Sequence, residues 1–171
     1  MLERGYIQVY TGDGKGKTTA ALGLALRAVC AGNRVFFGQF MKGQNTSELK
    51  APDYLPNFTI EQFGDVRFII KPTETDKEMA YKAFERMSEV LTSGKYDLVV
   101  FDEVNTAMHL GLLPKEWLLS LLDLKPEKTE VILTGRCAPK EIKERADLVT
   151  TMDEYKHYYT NGVKARVGIE Y

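Results

Sequence analysis

The fold of this chain is decided by the stretch Tyr10-Thr11-Gly12-Asp13-Gly14-Lys15-Gly16-Lys17-Thr18-Thr19. A short apolar run with β character (6–10) precedes it, and an alanine- and leucine-rich run (20–31) that predicts a helix follows it. A strand, a glycine-rich loop and a helix form the context in which backbone N–H groups and a helix N-terminus bind an anion. The stretch therefore predicts a phosphate-binding loop.

The residue types of this loop suit a polyphosphate and a divalent cation. Lys17 supplies a mobile positive charge, and Thr18 offers a hydroxyl to Mg²⁺. The usual pattern has a glycine five residues before Gly16, where this chain has Thr11. A lysine-rich turn that merely contains glycines is the alternative, which the flanking strand and helix disfavour. We expect ligand contacts from Gly12, Asp13, Gly14, Lys15, Gly16, Lys17, Thr18 and Thr19.

Apolar runs elsewhere predict the other strands and helices. Strands are expected at 34–40, 58–63, 96–103, 129–134 and 147–152, and helices at 18–31, 75–91, 105–113, 114–122 and 139–146. Strands that alternate with helices are typical of a parallel sheet. We therefore predict an α/β fold of the P-loop NTPase-like (RecA) type, a mostly parallel sheet with helices on both faces.

Some expectations are more local. The helix at 75–91 is expected to begin with a capping box of Thr75 and Glu78. Trp117 and the strand at 147–152 are expected in the core, and residues 44–58 as a loop with little regular structure. Residues 64–74 fit an edge strand or an apolar lid over a flat ligand. In the tail, Asn161-Gly162 predicts a hairpin that pairs with the sheet edge.

Composition limits the class of protein. The 171 residues, of which 44% are hydrophobic, fit a single domain over 1–171. A net charge of -1 gives no basic surface for nucleic acid. Cys30 and Cys137 lie far apart, outside any Cys-x-x-Cys spacing, which indicates a reducing compartment. Without a leader or a run of about 18 apolar residues, we expect a cytoplasmic protein that binds no membrane.

Candidate site residues follow several of the predicted strands. Ligands of open α/β sheets bind where the strands end. Asp102 and Glu103 end the run at 96–103, and an acidic residue there can join Thr18 in holding Mg²⁺. Lys42 follows the strand at 34–40 and is either near the phosphates or only solvated. Arg136 follows the strand at 129–134 and fits either a phosphate contact or a structural ion pair.

Four blocks in order resemble one family, the ATP:corrinoid adenosyltransferases of the P-loop type. The blocks are the loop at 12–19, Leu-Val-Val-Phe-Asp-Glu at 98–103, Leu-Thr-Gly-Arg at 133–136, and Lys156-His157 followed by the runs at 162–166 and 168–170. The resemblance spans residues 5–171. Four ordered blocks are far more specific than the loop alone.

The resemblance implies an unusual reaction for a phosphate loop. ATP would lie reversed relative to ordinary P-loop NTPases, a corrinoid reduced to Co(I) would attack the 5′ carbon of its ribose, and triphosphate would leave. It implies that Lys17 holds the triphosphate, that Thr18 and Glu103 bind Mg²⁺, and that Arg27 approaches the ribose. From the residues alone, Arg27 is equally a solvated arginine of the helix.

Further expectations follow from the same resemblance. Phe68 matches the family segment that displaces the lower ligand of the corrinoid, and Ile70 stands where relatives can have Trp. Asp13 replaces an Asn that is frequent in the family's loop. The resemblance also implies cobalamin synthesis or salvage, a homodimer, and a flavoprotein as reductant. The alternatives are a conventional P-loop kinase or NTPase and a non-catalytic ATP-binding module.

Overall fold

A six-stranded parallel sheet forms the centre of the protein. The structure of the protein is a computed structural model that describes residues 2–65, 69 and 71–171. The strands are β1 (Ile7–Thr11), β2 (Val35–Phe40), β3 (Phe58–Phe63), β4 (Leu98–Asp102), β5 (Glu130–Thr134) and β6 (Leu148–Thr151). Their order is β3-β2-β4-β5-β1-β6, and all neighbours are parallel. The predicted α/β fold is confirmed.

Helices cover both faces of this sheet. They are α1 (Lys17–Cys30), α2 (Ala51–Tyr54), α3 (Glu74–Thr92), α4 (Val104–His109), α5 (Lys115–Asp123) and α6 (Lys140–Arg145), with 3-10 turns at Ser47–Lys50 and Tyr158–Asn161. Every residue of β2 and β4 is buried, as expected of central strands covered on both sides. One core lies between the sheet and α1, and the other lies between the sheet and α3 to α6. Within the described residues no helix is long and apolar enough to cross a membrane.

The start of α3 differs from the prediction. Thr73 is the N-cap, and its hydroxyl accepts a 3.3 Å hydrogen bond from the backbone N–H of Asp76. The Asp76 carboxylate accepts a 2.7 Å bond from the Thr73 backbone N–H in return. The predicted pair of Thr75 and Glu78 has the same spacing two residues later, and it was wrong. Thr73 follows Pro72 in an extended conformation, so the helix begins directly after it.

Three other local predictions were also wrong. The stretch at 44–58 contains the turn Ser47–Lys50 and α2. All four residues of β6 are exposed, because this strand lies at the sheet edge beside β1 rather than in the core. Trp117 is 42% exposed, and its ring packs on Tyr81 and Phe84 at centroid distances of 5.0 and 5.7 Å.

The tail does not pair with the sheet edge. Residues 152–171, all described, contain one 3-10 turn and no strand, so the predicted hairpin was wrong. Their backbone bonds are largely internal, as from Glu170 N–H to the Arg166 carbonyl at 2.9 Å. In the segment at 64–74, residues 64, 65, 69 and 71–73 form no strand, and Val66, Phe68 and Ile70 lie outside the described residues.

Candidate active site

A cavity of about 770 Å³ lies at the carboxyl end of the sheet. The phosphate loop and the start of α1 form one wall. The residues that follow β2 and β4, together with Arg136 after β5 and the end of the tail, complete it. This is the position at which open parallel sheets bind ligands.

The loop requires its glycines. Gly12 and Gly16 have φ angles of 97° and 124°, which side chains disfavour. A Cβ added to Gly12 would lie 2.3 Å from the Met152 carbonyl oxygen. The same carbonyl accepts a 2.8 Å hydrogen bond from the backbone N–H of Gly14. The loop is therefore fixed against the beginning of the tail.

The side chain of Lys17, the first residue of α1, folds back onto the phosphate loop. Its side chain is buried, and Nζ donates a 2.6 Å hydrogen bond to the Gly14 carbonyl. Burial lowers the pKa of Lys17, and the attraction of Glu103 opposes this only in part. An anion that replaced the carbonyl would offer the ammonium a stronger partner.

Asp102 ends β4 and is the most enclosed acid of the site, with no exposed surface. Its Oδ1 accepts hydrogen bonds from the Thr18 hydroxyl at 2.8 Å and the Thr134 hydroxyl at 2.6 Å. Its Oδ2 accepts from Lys42 Nζ at 2.7 Å and Gln39 Nε2 at 3.2 Å. A buried carboxylate is stable only with such partners. Asp102 thus joins the phosphate loop to the strand ends beside it.

Glu103 has a different environment from its neighbour. Its φ of 63° is left-handed, which turns the chain from β4 into α4. Its carboxylate lines the cavity and accepts a 2.6 Å hydrogen bond from the Thr106 hydroxyl. From the sequence we expect Glu103 to hold Mg²⁺ together with Thr18, and that ligand set stays a prediction. The Thr18 hydroxyl donates its hydrogen bond to Asp102.

Lys42 reaches the site from the end of β2. Burial alone would lower the pKa of Lys42, but attraction to Asp102 and the hydrogen bond that Nζ donates to its carboxylate, with smaller attractions to Glu103 and Glu48, raise it. The ammonium is therefore held as a cation. Lys42 lies in the wall of the cavity that the phosphate loop borders, so it is more than a solvated surface lysine, and its contact with phosphates stays a prediction.

Arg136 lies across the mouth of the loop. Its guanidinium donates a 3.3 Å hydrogen bond to the Asp13 carbonyl, and its backbone N–H donates to the Thr106 hydroxyl at 3.0 Å. The side chain is exposed and lines the cavity. This placement fits a phosphate contact, because the guanidinium is bound to a carbonyl rather than to a carboxylate.

The tail supplies a wall that was not predicted. His157 and the residues 168–171 line the cavity. Lys15 Nζ lies 3.3 Å from the Ile169 carbonyl, and Ser47 Oγ donates to the Tyr171 carbonyl at 3.0 Å. The tail therefore contacts both the phosphate loop and the turn after β2.

Most of the predicted site residues line this one cavity. Those that do are Asp13, Gly14, Lys15, Gly16, Lys17, Thr18, Thr19, Glu103 and Arg136. Gly12 is part of the loop but not of the cavity wall. Arg27 is exposed in the last turn of α1, ten residues after Lys17 and outside the cavity wall, so its contact with a nucleotide stays a prediction. Phe68 lies outside the described residues.

Comparison with known proteins identifies the kind of site. A family model described as ATP:corrinoid adenosyltransferase BtuR/CobO/CobP matches residues 3–171. The chain belongs to this adenosyltransferase family. It is 35% identical over 171 residues to the corrinoid adenosyltransferase of Escherichia coli strain K12, covering 99% of this chain and 87% of that protein. Corrinoid adenosyltransferase CobA of Salmonella typhimurium is 36% identical with the same coverage, and a Sinorhizobium relative is 34% identical over 99% and 81%.

The charges of this adenosyltransferase site favour a cation together with an anionic ligand. Among the described residues, six carboxylate side chains line the cavity: Asp13, Glu48, Asp65, Glu103, Glu154 and Glu170. Four cationic side chains line it: Lys15, Lys17, Lys42 and Arg136. A bare polyphosphate would meet more acids than bases there. A divalent cation bound with the polyphosphate would offset this excess.

The donors near the loop fit such a cation. They are the Thr18 hydroxyl and the carboxylates of Asp102 and Glu103, all hard oxygen ligands of the type that Mg²⁺ prefers. Within residues 2–65, 69 and 71–171, no cluster of three or more His, Cys, Asp or Glu side chains could hold a metal ion by itself. Mg²⁺ commonly uses one or two carboxylates with substrate phosphates and water, which agrees with this sparse set.

Several residues of the adenosyltransferase site were missed in the sequence. Thr134 and Gln39 bind Asp102 from the two neighbouring strands, and Thr106 binds Glu103 and Arg136. Each is a polar residue at or just beyond the end of a predicted strand. Polar residues at those positions were a usable signal, but their partners depend on the strand order.

Proposed function

We propose that this protein transfers the 5′-deoxyadenosyl group of ATP to a corrinoid in the Co(I) state, in cobalamin synthesis or salvage. The observation that carries the proposal is the juxtaposition of the phosphate loop and Glu103 in one cavity of about 770 Å³, with the buried Asp102 hydrogen-bonded to Thr18 of the same loop. Family membership over 3–171 favours this reaction over phosphoryl transfer, for which the loop would serve equally well.

The reaction moves one electron pair and no proton. The pair on Co(I) forms the cobalt–carbon bond to the 5′ carbon of the ribose, and the bond from that carbon to the phosphate oxygen breaks. Triphosphate leaves with the electrons of the broken bond. No general base is needed, so the protein acts by positioning its substrates and stabilising the leaving group.

Stabilisation of triphosphate is the task of the loop. Negative charge grows on the leaving oxygen, and donors already aimed at the phosphates lower the barrier without rearrangement. Lys17 would exchange its bond to the Gly14 carbonyl for one to a phosphate oxygen. Arg136, which borders the same loop, would contribute a second cationic contact.

Mg²⁺ is part of the proposal. Thr18, Asp102 and Glu103 would hold it, directly or through water, beside the triphosphate. The ion would supply Lewis-acid neutralisation of charge on the leaving group. The protein's own residues fix its position, because Asp102 holds the Thr18 hydroxyl and Thr106 holds the Glu103 carboxylate.

The apolar part of the cavity would face the corrinoid. The residues concerned are Leu22, Ile69, Leu110 and Ile169. A corrin ring is broad and flat, and apolar contacts of this kind would exclude water from Co(I). We keep the role of Phe68 in displacing the lower ligand, and of Arg27 at the ribose, as proposals that rest on the resemblance.

The setting of the reaction is proposed on weaker grounds. Co(I) requires an electron donor, and the resemblance to the family points to a flavoprotein. It also points to a homodimer, and the length and composition of the chain point to a single domain over 1–171. We also propose a cytoplasmic location, with which the two free thiols Cys30 and Cys137 are compatible.

An anaerobic assay tests the reaction. Purified protein is mixed with ATP, Mg²⁺ and chemically reduced cob(I)alamin, while the corrinoid spectrum is followed and the phosphate product is identified. We expect an adenosyl–cobalt spectrum with one triphosphate for each corrinoid converted. Lys17→Ala serves as the matched negative control. ADP or phosphate without a spectral change would overturn the proposal in favour of a conventional kinase or NTPase.

A further inference from the structure

Lys42 and Asp102 form an ion pair in the site, and its carboxylate is fully buried. Lys42 Nζ lies 2.7 Å from Asp102 Oδ2, and the exposed fractions of the two side chains are 26% and 0%. The other oxygen, Oδ1, accepts the Thr18 hydroxyl at 2.8 Å. The Lys42 ammonium therefore neutralises the carboxylate that accepts the hydrogen bond of Thr18, whose hydroxyl is proposed to bind Mg²⁺.

The backbone that carries Lys42 is closely packed against a second chain segment. Met41 has a left-handed φ of 59°, and a Cβ added to Gly64 would lie 2.6 Å from the Lys42 backbone nitrogen. A Cβ on Gly43 would similarly lie 2.6 Å from the Gly64 carbonyl oxygen. Two chain segments thus touch at their backbones. Any movement at this position is left to the long lysine side chain, whose ammonium pivots on a flexible stem.

Asp102 can release the ammonium without losing every partner on that side. Gln39 Nε2 donates to the same Oδ2 at 3.2 Å and also contacts Glu48 Oε1 at 3.0 Å. Gln39 is fully buried, and Gln62 Nε2 holds its Oε1 at 2.9 Å. The amide is therefore held in place, and Oδ2 keeps a hydrogen bond when Lys42 leaves.

We propose that Lys42 is an exchangeable counter-ion that moves from Asp102 to the polyphosphate. In the free protein its ammonium neutralises Asp102. When a divalent cation enters with the polyphosphate, the cation takes over Asp102 and the ammonium binds phosphate oxygens as a second lysine beside Lys17. The inference rests on the proposed function for the identity of the ligand. To the proposed function, this inference adds Lys42 as a ligand-binding residue and the sequence in which the charges at Asp102 exchange.

The exchange predicts opposite effects on two binding measurements. In Lys42→Met the competitor for Asp102 is gone, so Mn²⁺ alone, followed by electron paramagnetic resonance, is expected to bind several-fold more tightly. Inorganic triphosphate with Mn²⁺, followed by calorimetry, is expected to bind about tenfold more weakly, the value of one charged hydrogen bond. Lys42→Arg keeps the charge and is expected to retain most of the triphosphate affinity.

A matched control separates this exchange from a general loss of positive charge. Lys140 pairs with Glu144 on α6 at 3.4 Å and lies outside the cavity wall. Lys140→Met changes the net charge equally and is expected to leave binding of Mn²⁺ alone unchanged. Equal Mn²⁺ effects in Lys140→Met and Lys42→Met would overturn the proposal, as would a Lys42→Met protein that shows no opposite shifts.

Folding is checked because Lys42→Met leaves the Asp102 carboxylate without its ammonium. If that variant does not fold, Asp102→Asn is compared with Asp102→Asn/Lys42→Met, which strands no buried charge. In Asp102→Asn the Lys42 ammonium has lost its carboxylate partner. This single variant is therefore expected to bind triphosphate without metal about tenfold more tightly than the double variant; equal affinities would overturn the proposal. None of these assays contains ATP or corrinoid, so failure of adenosyl transfer would leave their outcome standing.

Discussion

Thr18 in the phosphate loop and Asp102 at the end of β4 are joined by a hydrogen bond of 2.8 Å from Thr18 Oγ1 to Asp102 Oδ1. Asp102 lies opposite Gln39 of β2 in the sheet register, and Thr134 of β5 donates to it from the other side. The loop is thus connected to the central strands through one carboxylate. Thr18 is oriented by the sheet as well as by its own helix.

This connection predicts unequal roles for the two adjacent acids. Asp102→Asn weakens the acceptor that orients Thr18, whereas Glu103→Gln alters a side chain held by Thr106. We expect both variants to need more Mg²⁺ for half-maximal adenosyl transfer, and the increase to be larger for Asp102→Asn, about tenfold or more. The measurement is a titration of free Mg²⁺ at saturating ATP. A larger effect from Glu103→Gln would contradict this ranking and make Glu103 the principal Mg²⁺ ligand.

The sheet could be predicted from sequence because most of its strands are short and rich in apolar residues, and a glycine directly follows β1, β3 and β5. Which of the two acids accepts the hydrogen bond of Thr18 could not be predicted, since Asp102 and Glu103 are adjacent in the sequence. Only the left-handed turn at Glu103, with φ of 63°, decides which carboxylate faces the loop. No spacing in the sequence encodes that angle.

The tail was missed for a related reason. Asn161-Gly162 is typical of a hairpin, but a hairpin needs a strand beside it, and residues 152–171 bind the phosphate loop instead. The contact between Lys15 and Ile169 joins positions far apart in the chain. Trp117 was misplaced because an aromatic residue in an apolar helix favours the core. Here its ring covers Tyr81 and Phe84 at the surface.

Lys17 should be essential for turnover and dispensable for folding. Its ammonium is buried with a carbonyl as its hydrogen-bond partner, and burial lowers its pKa, so the charged form costs stability at neutral pH. We expect Lys17→Met to lose at least about 100-fold in kcat, because the leaving group loses a preorganised cation. The melting temperature should stay the same or rise.

Both quantities are measured on one sample: kcat by the corrinoid assay and the melting temperature by calorimetry. A Lys17→Met protein with near-normal kcat would refute the phosphate-loop assignment. An inactive protein that has also unfolded would show that Lys17 is needed for structure, contrary to the argument from burial.

Arg136 should act on ATP binding. Its guanidinium donates to the Asp13 carbonyl at the loop, where a phosphate oxygen would be a stronger acceptor. We expect Arg136→Ala to raise KM for ATP about tenfold, with a smaller change in Arg136→Lys. Arg145→Ala is the matched control, because Arg145 pairs with Asp123 on the surface and lies outside the cavity wall. Equal KM values for Arg136→Ala and the parent protein would assign Arg136 a structural role.

Glu170 should hold the tail over the cavity in a pH-dependent manner. Its carboxylate accepts hydrogen bonds from Tyr158 and Arg166, and Arg166 above all, then Tyr158, lowers the pKa of Glu170 to about 2. Folding therefore favours the ionised form. The contribution of Glu170 is fully present above its ordinary pKa of about 4.5 and is lost as pH falls from there through about 2.

The same pairing can be broken at neutral pH by Glu170→Gln. We expect faster tryptic cleavage after Lys164 and Arg166, and faster amide exchange at 168–171, because Gln accepts weaker hydrogen bonds than a carboxylate. Glu144→Gln is the control, since Glu144 forms an exposed pair with Lys140 on α6. Exchange at 168–171 in the parent protein, corrected for intrinsic rates, should rise in the same way between about pH 5 and about pH 2. Tail protection that is unchanged by Glu170→Gln would mean that the contacts of Lys15 and Ser47 hold the tail without the carboxylate.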